Sequence, residues 1–312
     1  MTLADNGNEY AGRVAIITGA GRGLGRTYAI ALAARGAHVV VNDPGSGLDG
    51  SGEIDDTAGA VVAEIRAAGG TAIADYASVT DPDGVQAMVA NTLTQFGRID
   101  ILINNAGILR DRSFHKVQLD DVLAVINVHL TGSLRCTHAV WPLMRDQGYG
   151  RILFTSSQNG TYGNFGQAGY ATAKAGVLGL MKVLAIEGES KNVRANTIVP
   201  VAQSRMTVGT IIEDESDADR LPTEAVAAGV LHLVGEHAPN GTILNAGGGC
   251  FSVTELPETR GAFLGIDATL EDVRTHWDEI TAGGYVDVLP NGPAQFAKFL
   301  GMQEQQSVGI SR

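Results

Sequence analysis

Five apolar runs dictate the fold class of this chain: RVAIITG (13–19), AHVVVND (37–43), IDILINNAG (99–107), RILFTSS (151–157) and VRANTIVP (193–200). Runs of this kind, without polar alternation, read as strands buried on both faces. Helical periodicity takes over between them, at about 24–35, 56–68, 82–96, 119–146 and 168–189, with a short further strand near 71–76. Alternating strands and helices demand a parallel sheet with a helical layer on each side, a three-layer, doubly wound α/β architecture. Right-handed crossovers bring the C-terminal ends of the strands to one edge, where ligands bind. GTILNAGGG (241–249) reads as the last strand. The expected organisation is a flexible tail over 1–11, one domain over 12–250, and an extension over 251–312 with one helix at 270–280.

The first run ends in TGAGRGLG (18–25) and opens a helix. Gly19, Gly23 and Gly25, with Arg22 and Leu24 among them, let a pyrophosphate approach the backbone, and the helix start offers N–H groups without intrahelical partners. The second strand ends in Asp43, 18 residues past Gly25. A carboxylate there accepts hydrogen bonds from the adenosine ribose hydroxyls and repels a 2′-phosphate, which favours NAD over NADP. Arg22 is the counter-signal, because a guanidinium beside this turn can pair with that phosphate. The domain therefore reads as a Rossmann-type NAD-binding unit; a plain structural turn, with Asp43 as a solvated strand end, is the alternative.

Residues 157–174 read SQNGTYGNFGQAGYATAK. Oxidising an alcohol needs a base for the hydroxyl proton. Lowering a tyrosine pKa from near 10 to about 7 takes roughly 4 kcal/mol of interaction with the phenolate. A lysine one helical turn away supplies part of this, and an oxidised nicotinamide, also cationic, supplies more. Tyr170 has Lys174 at i+4, whereas Tyr162 has Gly166 there and reads as a loop or pocket aromatic. Ser157 ends its strand at the ligand edge, placed to hold the reacting oxygen. Its neighbour Ser156 points the other way and reads as structural.

TGAGRGLG, NNAG (104–107), Ser157 and YATAK (170–174) together resemble the short-chain dehydrogenase/reductase family in order and spacing, over about residues 12–250. The resemblance implies that Ser157 positions the substrate oxygen, that Tyr170 is the acid/base, and that Lys174 binds the nicotinamide ribose and lowers the tyrosine pKa. It also implies that Asn105 and Gly107 line the cofactor, that Ser78 and Val79 lie beside the adenine, and that Pro200 and the residues just after it, Ala202 included, lie near the nicotinamide amide. NDPGSGLDGSG (42–52), NNAGILRDRSF (104–114), YGNFGQAGY (162–170) and SRMT (204–207) are similar to the (3R)-hydroxyacyl-CoA dehydrogenase branch of peroxisomal multifunctional enzymes. That branch implies NAD-dependent oxidation of a (3R)-hydroxyacyl-CoA to its 3-oxo form, in lipid metabolism. A 17β-type hydroxysteroid dehydrogenase is the rival substrate class, and a non-catalytic, redox-sensing NAD module the rival of another kind. The family also implies a homodimer or homotetramer. Two positions depart from the common family pattern. His129 stands where most members have asparagine, and it reads either as a proton relay, since imidazole titrates near neutrality, or as a packed core ring. Val201 stands where many members have glycine.

The remaining composition narrows partners and compartment. A net charge of −12 with dispersed Lys and Arg argues against a nucleic-acid partner. Apolar runs of 18 residues are missing, as is an apolar N-terminal stretch, so neither a membrane span nor a signal peptide is expected. Two cysteines, Cys136 and Cys250, make neither a zinc site nor a disulfide framework, and the seven histidines lack ligand spacing. The expectation is a metal-free cytoplasmic protein acting on a small molecule. RDR (110–112) reads either as a steering patch for an anionic CoA or as a solvated loop, and the acidic 211–220 segment as a lid over the substrate.

Overall fold

The structure is a computed structural model describing residues 7–51, 55–203, 219–282 and 285–309. It divides into two units, 1–253 and 254–312.

In the first unit, β1 (Val14–Thr18), β4 (Ile101–Asn104) and β5 (Gly150–Thr155) are buried along their whole length, as central strands of a parallel sheet must be. With β2 (His38–Asn42), β3 (Thr71–Asp75), β6 (Val193–Val201) and β7 (Ile243–Gly247) they form a parallel sheet of order β3-β2-β1-β4-β5-β6-β7. An eighth strand, β8 (Cys250–Val253), pairs antiparallel with β7, so the expected last strand is not the edge. The order reverses between β1 and β4, the switch point at which an open α/β sheet leaves a crevice.

The helices that complete the two outer layers are α1 (Gly23–Ala33), α2 (Thr57–Ala67), α3 (Pro82–Phe96), α4 (Leu119–Ile126), α5 (Ser133–Gln147), α6 (Gln158–Tyr162), α7 (Ala168–Gly188) and α8 (Glu224–Val234). Tyr28 and Leu32 of α1, Val61 of α2 and Val230 of α8 share one core with Ile17 and Val41. Met88 of α3, Val140 of α5 and Met181 of α7 share another with Ile16 and Phe154. Local chemistry sets the ends: Asp81 caps α3 through the Asp83 N–H, Pro82 occupies its first turn, and Gly97 closes it at φ 77°.

The structure corrects several expectations. Tyr10 does not belong to a flexible tail: it is 2 % exposed and its hydroxyl donates to the Leu231 carbonyl at 2.6 Å. The helices α6 and α8 were not anticipated. The stretch expected as one helix over 119–146 is interrupted by a π-helical turn, Asn127–Gly132, between α4 and α5. Over Ala168–Lys191 the chain reaches the length of a membrane span at a mean hydropathy of 1.2, and Val177 and Met181 of that helix are packed into the core beside the sheet.

In the second unit, β9 (Pro257–Thr259) pairs antiparallel with β10 (Tyr285–Val288). The expected single helix over 270–280 is two, α9 (Leu270–Thr275) and α10 (Trp277–Thr281), meeting at His276, and α11 (Gly292–Gly309) follows. Thr269 and Asp272 form a capping box at the start of α9. Lys298 ties α11 to β9 by donating to the Thr259 carbonyl at 2.6 Å.

Candidate active site

The turn after β1 is built by close backbone contact. Gly19 has φ +63°, and a Cβ there would lie 2.7 Å from the Ala106 Cα; one on Gly25 would lie 2.3 Å from the Gly19 carbonyl oxygen. No larger residue fits either position without moving the backbone. The segment after β4 clamps this turn. Asn105 donates from Nδ2 to the Thr18 and Gly19 carbonyls at 3.0 Å each, and Thr18 Oγ1 accepts from the Asn105 and Ala106 N–H groups at 3.0 and 3.1 Å. The start of α1 is left open: Arg22 caps it without a side-chain hydrogen bond, and a Cβ on Gly23 would meet nothing within 4 Å.

This turn forms one wall of a cavity of about 530 Å³ at the switch point. Gly19, Arg22, Gly23, Leu24, Gly25, Asp43, Ser78, Val79, Asn105 and Gly107, all predicted as cofactor residues, line it. The uncapped start of α1, the open space at Gly23 and the Asp43 carboxylate held beside the turn fit a dinucleotide. Pro200, Ala202, Tyr170 and Lys174, also expected at the cofactor, are not among the lining residues: Pro200 lies in β6 beside Ala246, Ala202 is 2 % exposed within the core, and Tyr170 and Lys174 stand on α7. The SRMT segment and most of the acidic lid segment lie outside the described residues.

Other lining residues escaped sequence reasoning. The Gly-rich insertion contributes Pro44, Ser46, Gly47, Leu48 and Gly50. It is stitched to the opposite wall by Leu109 N–H donating to the Leu48 carbonyl at 3.1 Å and Arg110 Nε to the Asp49 carbonyl at 3.0 Å. Arg110 also pairs with Asp121 at 3.0 Å, so it is part of the cavity wall and not a solvated loop charge. Asn127 lines the cavity as well. It begins the π turn, whose extra residue shifts the helical phase.

Asp43 accepts from the Gly21 N–H at 2.9 Å and from the Gly45 N–H at 2.8 Å, one oxygen each. The carboxylate is thereby aimed at the cavity rim. Arg22 is paired with Asp55.

The second group of predicted residues gathers at the ends of β5 and α7. Ser157 leaves β5 in extended conformation and caps α6, accepting from the Asn159 N–H at 3.2 Å. Ser156 turns away, as expected, and donates to the Lys174 carbonyl at 2.7 Å. Lys174 is buried; its Nζ donates to the Thr155 carbonyl at 2.5 Å and lies 5.5 Å from the Tyr170 ring centroid. Tyr162 is 76 % exposed at the end of α6, away from this group.

The protonation balance differs from the sequence expectation. Burial pushes the Tyr170 phenol up to about 12, with the Ser157 hydrogen bond acting in the opposite direction. Burial pulls Lys174 down to about 7. In the protein alone desolvation is the largest influence on the Tyr170 phenol, and the Lys174 ammonium gives one of its three donors to the Thr155 carbonyl. Of the two readings of His129, the geometry favours the packed ring. Its Nε2 lies 2.8 Å from the Ile108 carbonyl and 3.1 Å from the Ile108 nitrogen, and its ring packs edge-on against Tyr170 at 5.1 Å. Burial pulls its pKa down to about 3, which favours the neutral ring at neutrality.

A glycine-walled cavity at the switch point, with serine, tyrosine and lysine gathered at the end of the adjacent strand, is matched by the known protein families. The family profile of short chain dehydrogenases covers residues 13–215. The chain belongs to the short-chain dehydrogenase family. Members are oxidoreductases acting on CH–OH groups with a nicotinamide cofactor. Peroxisomal multifunctional enzyme type 2 of Mus musculus is 45 % identical over 299 residues, covering 90 % of this chain and 40 % of the relative. The full-length structure of the Drosophila melanogaster enzyme of that name superposes with a TM-score of 0.76 at 37 % identity, over 95 % of this chain and 50 % of the other. The chain thus spans about half, or less, of the length of these relatives. A 7α-hydroxysteroid dehydrogenase solved with NADH and 7-oxo glycochenodeoxycholic acid superposes with a TM-score of 0.69 at 29 % identity, over 78 % of this chain and 96 % of that one.

Proposed function

We propose that this short-chain dehydrogenase oxidises (3R)-hydroxyacyl-CoA to 3-oxoacyl-CoA with NAD. The observation that carries the reading is the grouping of Ser157, Tyr170 and Lys174 at one end of the dinucleotide cavity's sheet edge. The likeness to peroxisomal multifunctional enzyme type 2 supports the substrate class. Asp43 at the rim, and Arg22 engaged by Asp55, support NAD as the cofactor.

In this reading Gly19, Gly23 and Gly25 hold the pyrophosphate, Asp43 the adenosine ribose, and Ser78, Val79, Asn105 and Gly107 line the path between. Bound there, an oxidised nicotinamide would supply the hydride acceptor for the carbinol carbon. Ser157 holds the substrate oxygen by hydrogen bond and Tyr170 takes the hydroxyl proton. Lys174, fixed by Thr155 beneath the tyrosine ring, holds the nicotinamide ribose. His129 keeps the Tyr170 ring in place by edge contact. The insertion and Arg110 close the outer wall. A cytoplasmic location and a homo-oligomer complete the reading; exposed apolar side chains on α4 (Leu119, Leu123) and α7 (Val183, Ile186) favour association.

A steroid alcohol is the second reading, favoured by the superposition on the 7α-hydroxysteroid dehydrogenase. NADH formation with 3-hydroxyacyl-CoA esters of both configurations and a 17β-hydroxysteroid, each with NAD and NADP, tests the two. Turnover of the R thioesters with NAD is the expected result. Preference for the steroid, or for NADP, overturns the substrate or the cofactor assignment respectively.

A further inference from the structure

We propose that Asp55 is a specificity-determining residue that excludes NADP by holding Arg22, the cation best placed to bind a 2′-phosphate. The proposal rests on the NAD reading and deepens it. Two arginines line the dinucleotide cavity, and both are engaged: Arg110 by Asp121 and the Asp49 carbonyl, Arg22 by Asp55. Arg22 stands at the start of α1, on the same cavity wall as the turn that donates to Asp43. Left free, its guanidinium would offer a phosphomonoester a charge-assisted, forked pair of donors. Paired, it does not.

Asp55 is placed by backbone as well as by charge. Its N–H donates to the Gly45 carbonyl at 3.2 Å and its carbonyl accepts from the Thr57 N–H at 2.8 Å. Gly45 has φ +79°, and a Cβ there would lie 2.1 Å from the Asp55 carbonyl oxygen, so only glycine lets the two strands of this loop lie so close. The Gly45 N–H in turn donates to Asp43. One turn at the root of the Gly-rich insertion therefore orients the acid that faces the adenosine ribose and anchors the acid that occupies Arg22. Around the start of α1, Asp43 and Asp55 place two carboxylates beside the one cation Arg22. A 2′-phosphate would meet the repulsion of Asp43 and find its counter-charge already taken, two independent terms against the same ligand. Among the described residues close by, Arg26 binds Glu64 and Asp56 caps α2 through the Gly59 N–H.

Asp55→Asn removes the charge and keeps the size and the backbone bonds. Dissociation constants for NADH and NADPH, read from nucleotide fluorescence on titration with protein, test the idea without reference to turnover. NADPH is expected to bind about tenfold more tightly to Asp55→Asn than to the parent, with NADH little changed. The gain should vanish in the Asp55→Asn, Arg22→Ala double variant, because the released guanidinium is its source. An unmoved NADPH constant in Asp55→Asn overturns the proposal, as does a gain that survives the loss of Arg22. A parent that binds NADPH more tightly than NADH would instead sink the NAD reading, an outcome visible before any substitution is made.

Discussion

Replacing Tyr170 with phenylalanine is expected to cut turnover about a thousandfold, the scale of a lost general acid/base, while NAD affinity is retained. The ring's edge contact with His129 at 5.1 Å does not involve the hydroxyl, so the variant keeps its packing and loses only the proton-transfer group. Parallel measurement of kcat and the NAD dissociation constant separates this outcome from a binding defect. A protein that merely senses NAD would be indifferent to the change. The pH dependence carries the sign. Burial pushes the phenol up to about 12 in the protein alone, so at neutrality it is protonated and the phenolate is the scarce form. Alcohol oxidation consumes phenolate and should rise with pH, whereas ketone reduction consumes phenol and should fall. The residual rate of Tyr170→Phe should be flat over the same range. A slope that survives the substitution would falsify Tyr170 as the base.

The largest expected effect on stability comes from Arg151→Met. Arg151 lies in β5, is 1 % exposed, and stacks its guanidinium 4.1 Å from the centre of the Tyr149 ring. It donates to four backbone carbonyls: Gly235 at 3.0 Å, Gly150 and Asn192 at 2.9 Å, and Glu236 at 3.0 Å. It thereby joins β5 to the turn after α8 and to the start of β6. Methionine replaces the volume but removes every guanidinium donation from a largely buried site; the Gly235 and Asn192 carbonyls keep one backbone donor each, the Ala238 and Gly150 N–H groups at 3.2 Å, and lose the other. The cost should be about 3 kcal/mol, a drop in Tm of the order of 10 °C for a unit of this size. Thermal and urea unfolding read it directly. A loss below about 1 kcal/mol would mean that water or a rotated peptide reaches those carbonyls. Turnover of the folded fraction at low temperature should be retained, because Ser157 sits at the other end of the strand.

Much of the fold is legible in the residues because local and long-range signals agree. The apolar runs are long enough to be buried strands and too short to be helices. Gly97 and the Asp81–Pro82 pair mark the ends of α3 by conformations that only such residues favour. Part of the cavity wall is legible for the same reason: Gly25 is required by the Gly19 carbonyl six residues before it, and Gly19 and Gly23 by their positive φ. Helix α8 is less so: Thr223 and Gly235 bracket EAVAAGVLHLV, but Thr223 makes no side-chain cap bond and the burial of the helix depends on Tyr10 and α1. The π turn at Asn127–Gly132 is not legible, since periodicity reports a mean phase and cannot show one extra residue in a turn.

The chain's residues by themselves determined the layered sheet and the glycine turn after β1, because each rests on spacing within one or two elements. Tertiary structure alone decided the rest. It set the protonation of Tyr170, Lys174 and His129, because desolvation depends on what the whole fold packs around each group. It brought Asn127 and the 44–50 insertion to the cavity wall, and it closed the ion pair between Arg22 and Asp55, 33 residues apart. Contacts between distant segments are fixed by where the sheet carries them, and no local pattern of residue types encodes that.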